Sequence, residues 1–243
     1  MKKVLVAIAT YNEMENLPSL IDAVLVAEPS ADILVVDDDS PDGTGRYCRE
    51  RCALEPRLQC IVRENERGLG SAVLAALQYA VDHDYTFVMN MDADFSHDPA
   101  VIPKLLAAMA PSVDMVIDVA IGSRYVPGGK IEGWPWHRKI MSRGINFWAR
   151  FCLGLKTKDN SGAFRCYRVE KLKTVLQGKI KSRGYSFFEE ILYRFKKIGA
   201  TFVEIPITFT DRTRGRSKIN KKEAVFALWN IFVIGFLRMI CAE

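Results

Sequence analysis

Ile33-Leu34-Val35-Val36-Asp37-Asp38-Asp39-Ser40-Pro41-Asp42-Gly43-Thr44 is the stretch that decides the fold. Four aliphatic residues in a row, with no polar alternation, read as a strand buried on both faces. Strands of that kind belong to parallel sheets. The run stops at three consecutive aspartates. Ser, Pro, Asp and Gly then supply turn and helix-start chemistry. A strand, a carboxylate-rich loop and a helix therefore follow one another directly.

Working outward, the same unit recurs. Val4–Ala9 is a strand that ends in Thr10-Tyr11-Asn12-Glu13, and Glu13–Ala27 places Leu17, Leu20, Ile21, Val24 and Leu25 at helical spacing. A helix runs from Asp42 to Leu54, a strand over Leu58–Val62 and an Ala-rich helix over Gly68–Val81. Thr86–Asn90 is a strand ending in Met91-Asp92-Ala93-Asp94, Pro99–Ala110 a helix and Met115–Gly122 a strand. This alternation predicts right-handed βαβ crossovers and the α/β class, with a mostly parallel central sheet flanked by helices. Beyond residue 122 the pattern loosens. Val126–Lys130 is a loop, His137–Leu153 a helix, Ala163–Val169 a strand and Phe187–Ile198 a helix. Thr201–Thr210 is extended and broken by Pro206, and a basic loop, Asp211–Lys218, precedes an apolar helix.

The chain has 243 residues, 34 basic and 29 acidic side chains and a net charge of +5. That small net charge hides a division. Residues 1–120 hold 9 basic and 20 acidic side chains, whereas residues 121–243 hold 25 and 9. Such asymmetry predicts different tasks for the two halves. Hydrophobic residues make up 49%, which excludes a disordered or fibrous chain. The six cysteines form no CxxC pair, which argues against a zinc site and for reduced thiols. Val4–Ala9 is too short for a signal-peptide core and is followed at once by charge. Only one long apolar stretch exists, Ala224–Leu237, so a multispan membrane protein is excluded.

Ligands of open α/β sheets bind beyond the carboxyl ends of the strands. Three clusters fall there: Thr10–Glu13, Asp37–Asp39 and Asp92-x-Asp94. Any one alone reads equally well as a turn or helix cap. Three together would repel one another, and either hydrogen-bond donors or a divalent cation would relieve them. Hard oxygen ligands suit Mg²⁺ or Mn²⁺, which in turn hold phosphates. No G-x-x-x-x-G-K-[ST] loop occurs, and Arg67-Gly68-Leu69-Gly70 reads as a tight strand-to-helix turn. His83, His97 and His137 are scattered, and none stands out as a general base.

Ala9–Glu13, Val35–Thr44 and Met91-Asp92-Ala93-Asp94-Phe95-Ser96-His97 resemble the family 2 glycosyltransferases with the GT-A, Rossmann-like fold. Gly122-Ser123-Arg124-Tyr125 with Gly128-Gly129, Arg138-x-x-x-Ser142, Asp159–Arg165, and Asp211-Arg212 with Ser217-Lys218 resemble the dolichyl-phosphate mannose synthases among them. The resemblance runs from about residue 4 to 222. It implies a glycosyltransferase domain over residues 1–220 and a C-terminal apolar helix over 221–243. It implies nucleotide contacts from Thr10, Tyr11, Glu13, Asp37 and Asp39, and a metal and diphosphate site at Asp92 and Asp94. Arg124, Arg138 and Ser142 match positions that grip a lipid phosphate. Arg212 and Lys218 match a loop over the donor phosphates, and the resemblance implies that Asp94, Arg124 and Arg212 carry catalysis. Ser96 departs from a common Gln, which leaves a third protein ligand to the metal in doubt.

The implied activity is metal-dependent, inverting transfer of mannose from GDP-mannose to a dolichyl or polyprenyl phosphate. UDP-glucose or another donor with the same lipid, a sugar-hydroxyl acceptor, and an inactive nucleotide-sugar binder or scaffold subunit are the alternatives. A phosphate monoester has a second pKa of about 6, so it needs positioning and not deprotonation. Asp159 is the reserve base, though a turn or cap role with Asn160 and Ser161 is the better expectation. The basic half suits an anionic membrane surface better than nucleic acid, since no RNA-binding motif appears. The expected location is peripheral, on the cytoplasmic face. Ala224–Leu237, with Phe226, Trp229, Phe232 and Phe236, is interfacial, a core helix, or a contact for a small membrane partner subunit. The whole reads as one cleft with an acidic donor wall and a basic acceptor wall.

Overall fold

The computed structural model describes residues 3–110, 115–178, 180, 182, 184, 186–212 and 228–236. Its elements run β1 (Val4–Thr10), α1 (Leu17–Ala27), β2 (Ala31–Asp37), α2 (Thr44–Cys52), β3 (Leu58–Val62), α3 (Leu69–Asp82) and β4 (Phe87–Met91). A 3₁₀ turn, Pro99–Val101, leads into α4 (Ile102–Ala108), and β5 (Val119–Ser123), β6 (Lys130–Glu132) and α5 (Trp136–Leu153) follow. Then come β7 (Arg165–Arg168), α6 (Val169–Val175), α7 (Phe187–Lys197), β8 (Phe202–Pro206) and β9 (Thr208–Thr210). Residues 228–236 are helical.

Seven strands form one sheet in the order β3-β2-β1-β4-β7-β5-β8. β1 pairs in parallel with β2 and β4, and β2 in parallel with β3. β7 runs antiparallel to both of its neighbours, β4 and β5. Two reversals cancel, so β5 ends on the same edge as β1, β2 and β4. β7 itself starts on that edge, because Arg165 pairs with Asn90 at the carboxyl end of β4. The segment before β7, with Asp159 to Ser161, is thereby delivered to the carboxyl edge of the parallel strands.

Both faces of the sheet are covered, which is why β1 and β2 read as unbroken apolar runs. Leu5, Ala7, Leu34 and Val36 pack with Val73, Ala76 and Leu77 of α3 and with Leu192 and Phe195 of α7. Val4, Val6, Ile8, Ile33 and Val35 pack with Leu17, Leu20 and Ile21 of α1 and with Ile102 and Leu105 of α4.

Most sequence-predicted elements are present, with four differences. α1 starts at Leu17 and not at Glu13, since Asn12 is left-handed (φ 56°) and the Glu13 carbonyl accepts from Asn16 N and Leu17 N in a tight turn. β5 starts at Val119, after Asp118 and Thr201 have bonded to each other. The expected loop at 126–130 leads into β6, which pairs with β9 in a two-stranded parallel ribbon. α6 is an added helix, too short to show a period. The 228–236 segment packs on α5: Trp148 Nε1 donates to the Leu228 carbonyl at 3.3 Å, and Trp148 stacks on Phe232. Ile231 is fully buried. No helix among the described residues is long and apolar enough to cross a membrane.

α7 carries an acid in the core. Glu189 is buried, and its Oε2 finds no hydrogen-bond partner among the described residues. Burial raises its pKa from 4.5 to about 7. Between those values the folded chain holds a proton that the unfolded chain releases, so stability falls as pH rises through the window. Glu189→Gln removes the charge and keeps the shape. The variant should melt at a higher temperature than the native chain at about pH 8 and at the same temperature near pH 4. An unchanged difference across a pH series of thermal melts would contradict this.

Candidate active site

At the end of β2 the three aspartates separate into three roles. Asp37 is fully buried and accepts from Thr10 Oγ1 at 2.8 Å, Ser40 N at 2.9 Å and Ser40 Oγ at 2.6 Å. These donors settle its charge, and they join the ends of β1 and β2. A Cβ on Gly45 would fall 2.8 Å from Asp37 Oδ2, so α2 can start this close only with glycine there. Asp38 turns away and pairs with the buried Arg63, whose Nε donates at 2.8 Å, and it also accepts from Gly68 N. The Arg67-Gly68 turn is thus a ligand of Asp38. Asp39 is exposed in a left-handed conformation (φ 53°). Tyr11 lies under the Arg67 guanidinium, 4.9 Å from its ring centre. Glu13 Oε2 accepts from Asn16 Nδ2, and Glu13 N donates to Thr44 Oγ1. Thr10, Tyr11, Glu13, Asp37 and Asp39 therefore share one corner, built by the β1 and β2 ends.

The β4 end differs. Asp92 and Asp94 carry few internal donors. Asp94 accepts from Ser96 N at 3.1 Å and pairs with Arg212 Nη2 at 2.9 Å. Asp92 leaves 34% of its side chain exposed, and burial together with the Asp94 charge pushes its carboxyl well above the usual range. Two carboxylates that repel, one of them holding a guanidinium, make a site that wants a cation. All-oxygen donors suit Mg²⁺ or Mn²⁺, which often take only one or two protein carboxylates and leave other positions to phosphate and water. No group of three or more His, Cys, Asp or Glu side chains gathers to hold a metal among the described residues.

His97, which the sequence did not single out, closes this corner. Its Nδ1 accepts from Asp92 N at 3.1 Å, which sets the loop after β4. It stacks on Phe164 and meets Phe209 edge-on, and burial lowers its pKa to about 4. A neutral imidazole follows, as a nitrogen that accepts a bond requires. The positional cue was the short distance in sequence to Asp94, which does not distinguish a bonded histidine from a solvated one.

Arg124 follows β5 and is buried. Its Nε and Nη2 donate to Asp159 at 2.7 Å each, its backbone N donates to the same carboxylate at 2.9 Å, and Nη2 reaches Ser161 Oγ at 3.0 Å. Burial alone would raise the Asp159 pKa, but the Arg124 charge and hydrogen bonds outweigh it and hold the carboxyl below its ordinary value. Asp159 also accepts from Gly162 N, so the expected turn role is present beside the larger one. Gly129 lies against the Arg124 backbone, where a Cβ would fall 2.6 Å from the Ser123 carbonyl oxygen. That contact explains the second glycine of the Gly128-Gly129 pair.

Arg138 and Ser142 lie one turn apart on α5. The Arg138 guanidinium sits 4.0 Å from the Trp134 ring centre and Arg124 5.5 Å from it, so one indole joins them. Ser142 accepts from the Tyr125 hydroxyl at 2.7 Å. Asn146 donates to the Ser142 carbonyl and to Ser161 Oγ, and it accepts from Asn160 N and Ser161 N. Arg124, Arg138 and Ser142 are thus brought together on one side of the cleft. Arg138 Nη1 also holds Asp211 at 3.0 Å. All three site arginines rest on carboxylates, so this wall is not a bare positive patch. Lys218 lies outside the described residues.

A model of the family described as Glycosyl transferase family 2 matches residues 5–176. The polyprenol monophosphomannose synthase of Mycolicibacterium smegmatis is 42% identical over 236 residues, covering 95% of this chain and 88% of that protein. The undecaprenyl-phosphate mannosyltransferase of Micrococcus luteus is 39% identical, with 90% and 88% covered. The dolichol-phosphate mannosyltransferase of Pyrococcus furiosus is also 39% identical, with 95% and 63% covered. Among solved structures, glucosyl-3-phosphoglycerate synthase of Mycobacterium tuberculosis with Mn²⁺ and UDP superposes with a TM-score of 0.65 at 17% identity. It covers 97% of this chain and 79% of that one, a likeness of GT-A fold. With strand ends, carboxylate pair and family model in agreement, this chain belongs to glycosyl transferase family 2.

Proposed function

We propose that this chain transfers mannose from GDP-mannose to a polyprenyl phosphate with inversion, in a metal-dependent reaction. Asp159 carries the reading. It is the buried carboxylate of the acceptor wall, committed to Arg124 and held below its ordinary pKa, and Asp211, the second carboxylate there, is engaged by Arg138. Such a group is a poor base for a sugar hydroxyl. A phosphate anion needs no base, only neutralisation and aim, which guanidinium groups supply. The three sequence relatives named above are all mannosyltransferases or monophosphomannose synthases of polyprenol-type lipids, which supports the sugar and the lipid. Guanosine as the donor base rests on the sequence resemblance.

In this reading Tyr11, Glu13 and Asp39 hold the nucleoside, the buried Thr10 and Asp37 shape that corner from behind, and Asp92 and Asp94 hold the divalent ion. When bound, that ion supplies charge neutralisation to the departing diphosphate. Arg212 and Lys218 add positive charge on the same side. Arg124, Arg138 and Ser142 orient the lipid phosphate opposite. Direct attack by its oxygen on the anomeric carbon breaks the bond to diphosphate and inverts that carbon.

A membrane surface is where such an acceptor is found. α5 supports docking there, since it contains no acidic residue and exposes Trp136 (73%), Phe147 (68%) and Phe151 (74%), interleaved with Lys139, Arg143 and Arg150. Trp229, Phe232 and Phe236 of the neighbouring helix extend the same apolar surface. Apolar anchors ringed by cations suit an anionic interface on the cytoplasmic side.

A donor panel with undecaprenyl phosphate in anionic vesicles tests the proposal. GDP-mannose should be used in preference to UDP-glucose, and the protein should float with the vesicles. An α-linked donor should give a β-linked product by anomeric NMR. Preference for UDP-glucose would overturn the donor, retention would overturn the inversion, and absence from the floated fraction would overturn the membrane reading.

A further inference from the structure

Asp211 and Arg212 follow β9 directly, and each occupies a group that the proposed reaction uses. Asp211 Oδ1 receives Arg138 Nη1 at 3.0 Å, a carboxylate where a phosphate oxygen would approach. Arg212 Nη2 lies 2.9 Å from Asp94 Oδ2, a guanidinium where a metal cation would approach. Two adjacent residues thus imitate the two kinds of ligand, with matching signs.

Burial separates these pairs from the third one. Arg138 and Asp211 are 21% and 29% exposed, and Arg212 is 24% exposed over a buried Asp94 (5%), so water reaches the first pair from both sides and the second from the arginine side, where a cation that replaces the guanidinium keeps the buried carboxylate paired. Arg124 and Asp159 are 6% and 0% exposed, which makes that pair a fixture. The two imitating pairs are joined in more than sequence. Ser96 N donates to Asp94, and the Ser96 carbonyl accepts from Thr210 N, one residue before Asp211. Asp211 N is tied to the Glu132 carbonyl, and its Cβ sits where a side chain on Gly133 would lie. The Asp211 backbone is therefore held by its neighbours, and the direction in which its carboxylate leaves the chain follows the backbone that Ser96 and Glu132 hold.

We propose that the Asp211–Arg212 pair couples the two sides of the cleft: a cation that takes Asp94 from Arg212 loosens Asp211 from Arg138 and so prepares the acceptor side. Asp211 is a positioning residue here, and it touches neither ligand. The inference rests on the functional reading above, in that Asp94 takes a metal and Arg138 a phosphate.

Calorimetric titration of the full chain with geranyl phosphate, with and without Mn²⁺, is the test. Mn²⁺ should tighten geranyl phosphate binding to the native chain by about fivefold or more, the lower end of ordinary coupling between sites. In Asp211→Asn the phosphate should bind more tightly without Mn²⁺, and Mn²⁺ should then add less than about twofold. Asp211→Glu, which keeps the carboxylate, should restore the coupling. A simple attraction between bound ion and bound phosphate would survive Asp211→Asn unchanged, and that result would overturn the coupling. Independent binding of the two probes to the native chain would overturn it as well and leave the functional reading intact. Failure of both probes to bind the native chain would overturn the functional reading and the coupling together.

Discussion

Asp159→Ala is expected to lower folding stability by about 3–5 kcal/mol, a large share of the roughly 5–15 kcal/mol that holds a domain folded. The reason is the charge it leaves behind. The Asp159 carboxylate is fully buried and takes four donors, three of them from Arg124. Without it, the Arg124 guanidinium stays among Tyr125, Trp134 and Phe209 with Ser161 Oγ as its remaining hydrogen-bond acceptor. An unpaired buried cation is far costlier than a missing pair. The double variant Asp159→Ala with Arg124→Met should therefore be more stable than Asp159→Ala alone, because an apolar side chain suits three aromatic neighbours. Urea unfolding followed by fluorescence reads both. Equal midpoints for the native chain and Asp159→Ala would show that the pair does not hold the acceptor wall.

Asp94→Asn should act the opposite way, with a large loss of turnover and a small change in stability. The carboxylate is one of two that repel each other, and its internal partner Arg212 is partly exposed. Removing the buried Asp94 charge relieves its repulsion with Asp92 and loses the pair to Arg212, whose freed guanidinium is exposed enough to take up water, so the two effects oppose each other. Catalysis has no such offset. Charge neutralisation by a metal is worth several kcal/mol in the transition state, so turnover should fall by at least about a hundredfold. Thermal melts, Mn²⁺ titration and donor turnover together make the check. Unchanged turnover with Mn²⁺ present would remove Asp94 from the metal assignment.

These two variants divide the acidic residues of the cleft into those that fold the chain and those that serve the reaction. The same division explains the charge asymmetry of the sequence. The acidic half does not present a wall of bare carboxylates: Asp37 is settled by Thr10 and Ser40, and Asp38 by Arg63. Asp92 and Asp94 are the pair without enough internal donors. The basic half likewise spends Arg124 on Asp159 and Arg138 on Asp211.

The strand-and-loop repeat was legible from composition and spacing, because a strand buried on both faces has one readable pattern and each strand ends in polar residues of its own. Glu13–Asn16, β6 and α6 were not, being short segments decided by turns and by pairing partners. Asp159 was legible as a turn residue and not as the partner of Arg124, 35 residues away.

The sequence by itself determined the α/β class, the sheet edge on which the polar strand ends gather, and the residue types placed there, since local periodicity and turn chemistry act over a few neighbours. Only the tertiary structure decided which charges are free to meet a ligand. β7 lies antiparallel between β4 and β5, carries Asp159 to the site edge and buries it against Arg124. Arg138 and Arg212, at least 21% exposed, are reached by water, although Arg212 meets a buried Asp94. Burial sets the cost of breaking an ion pair, and burial is a property of the assembled sheet.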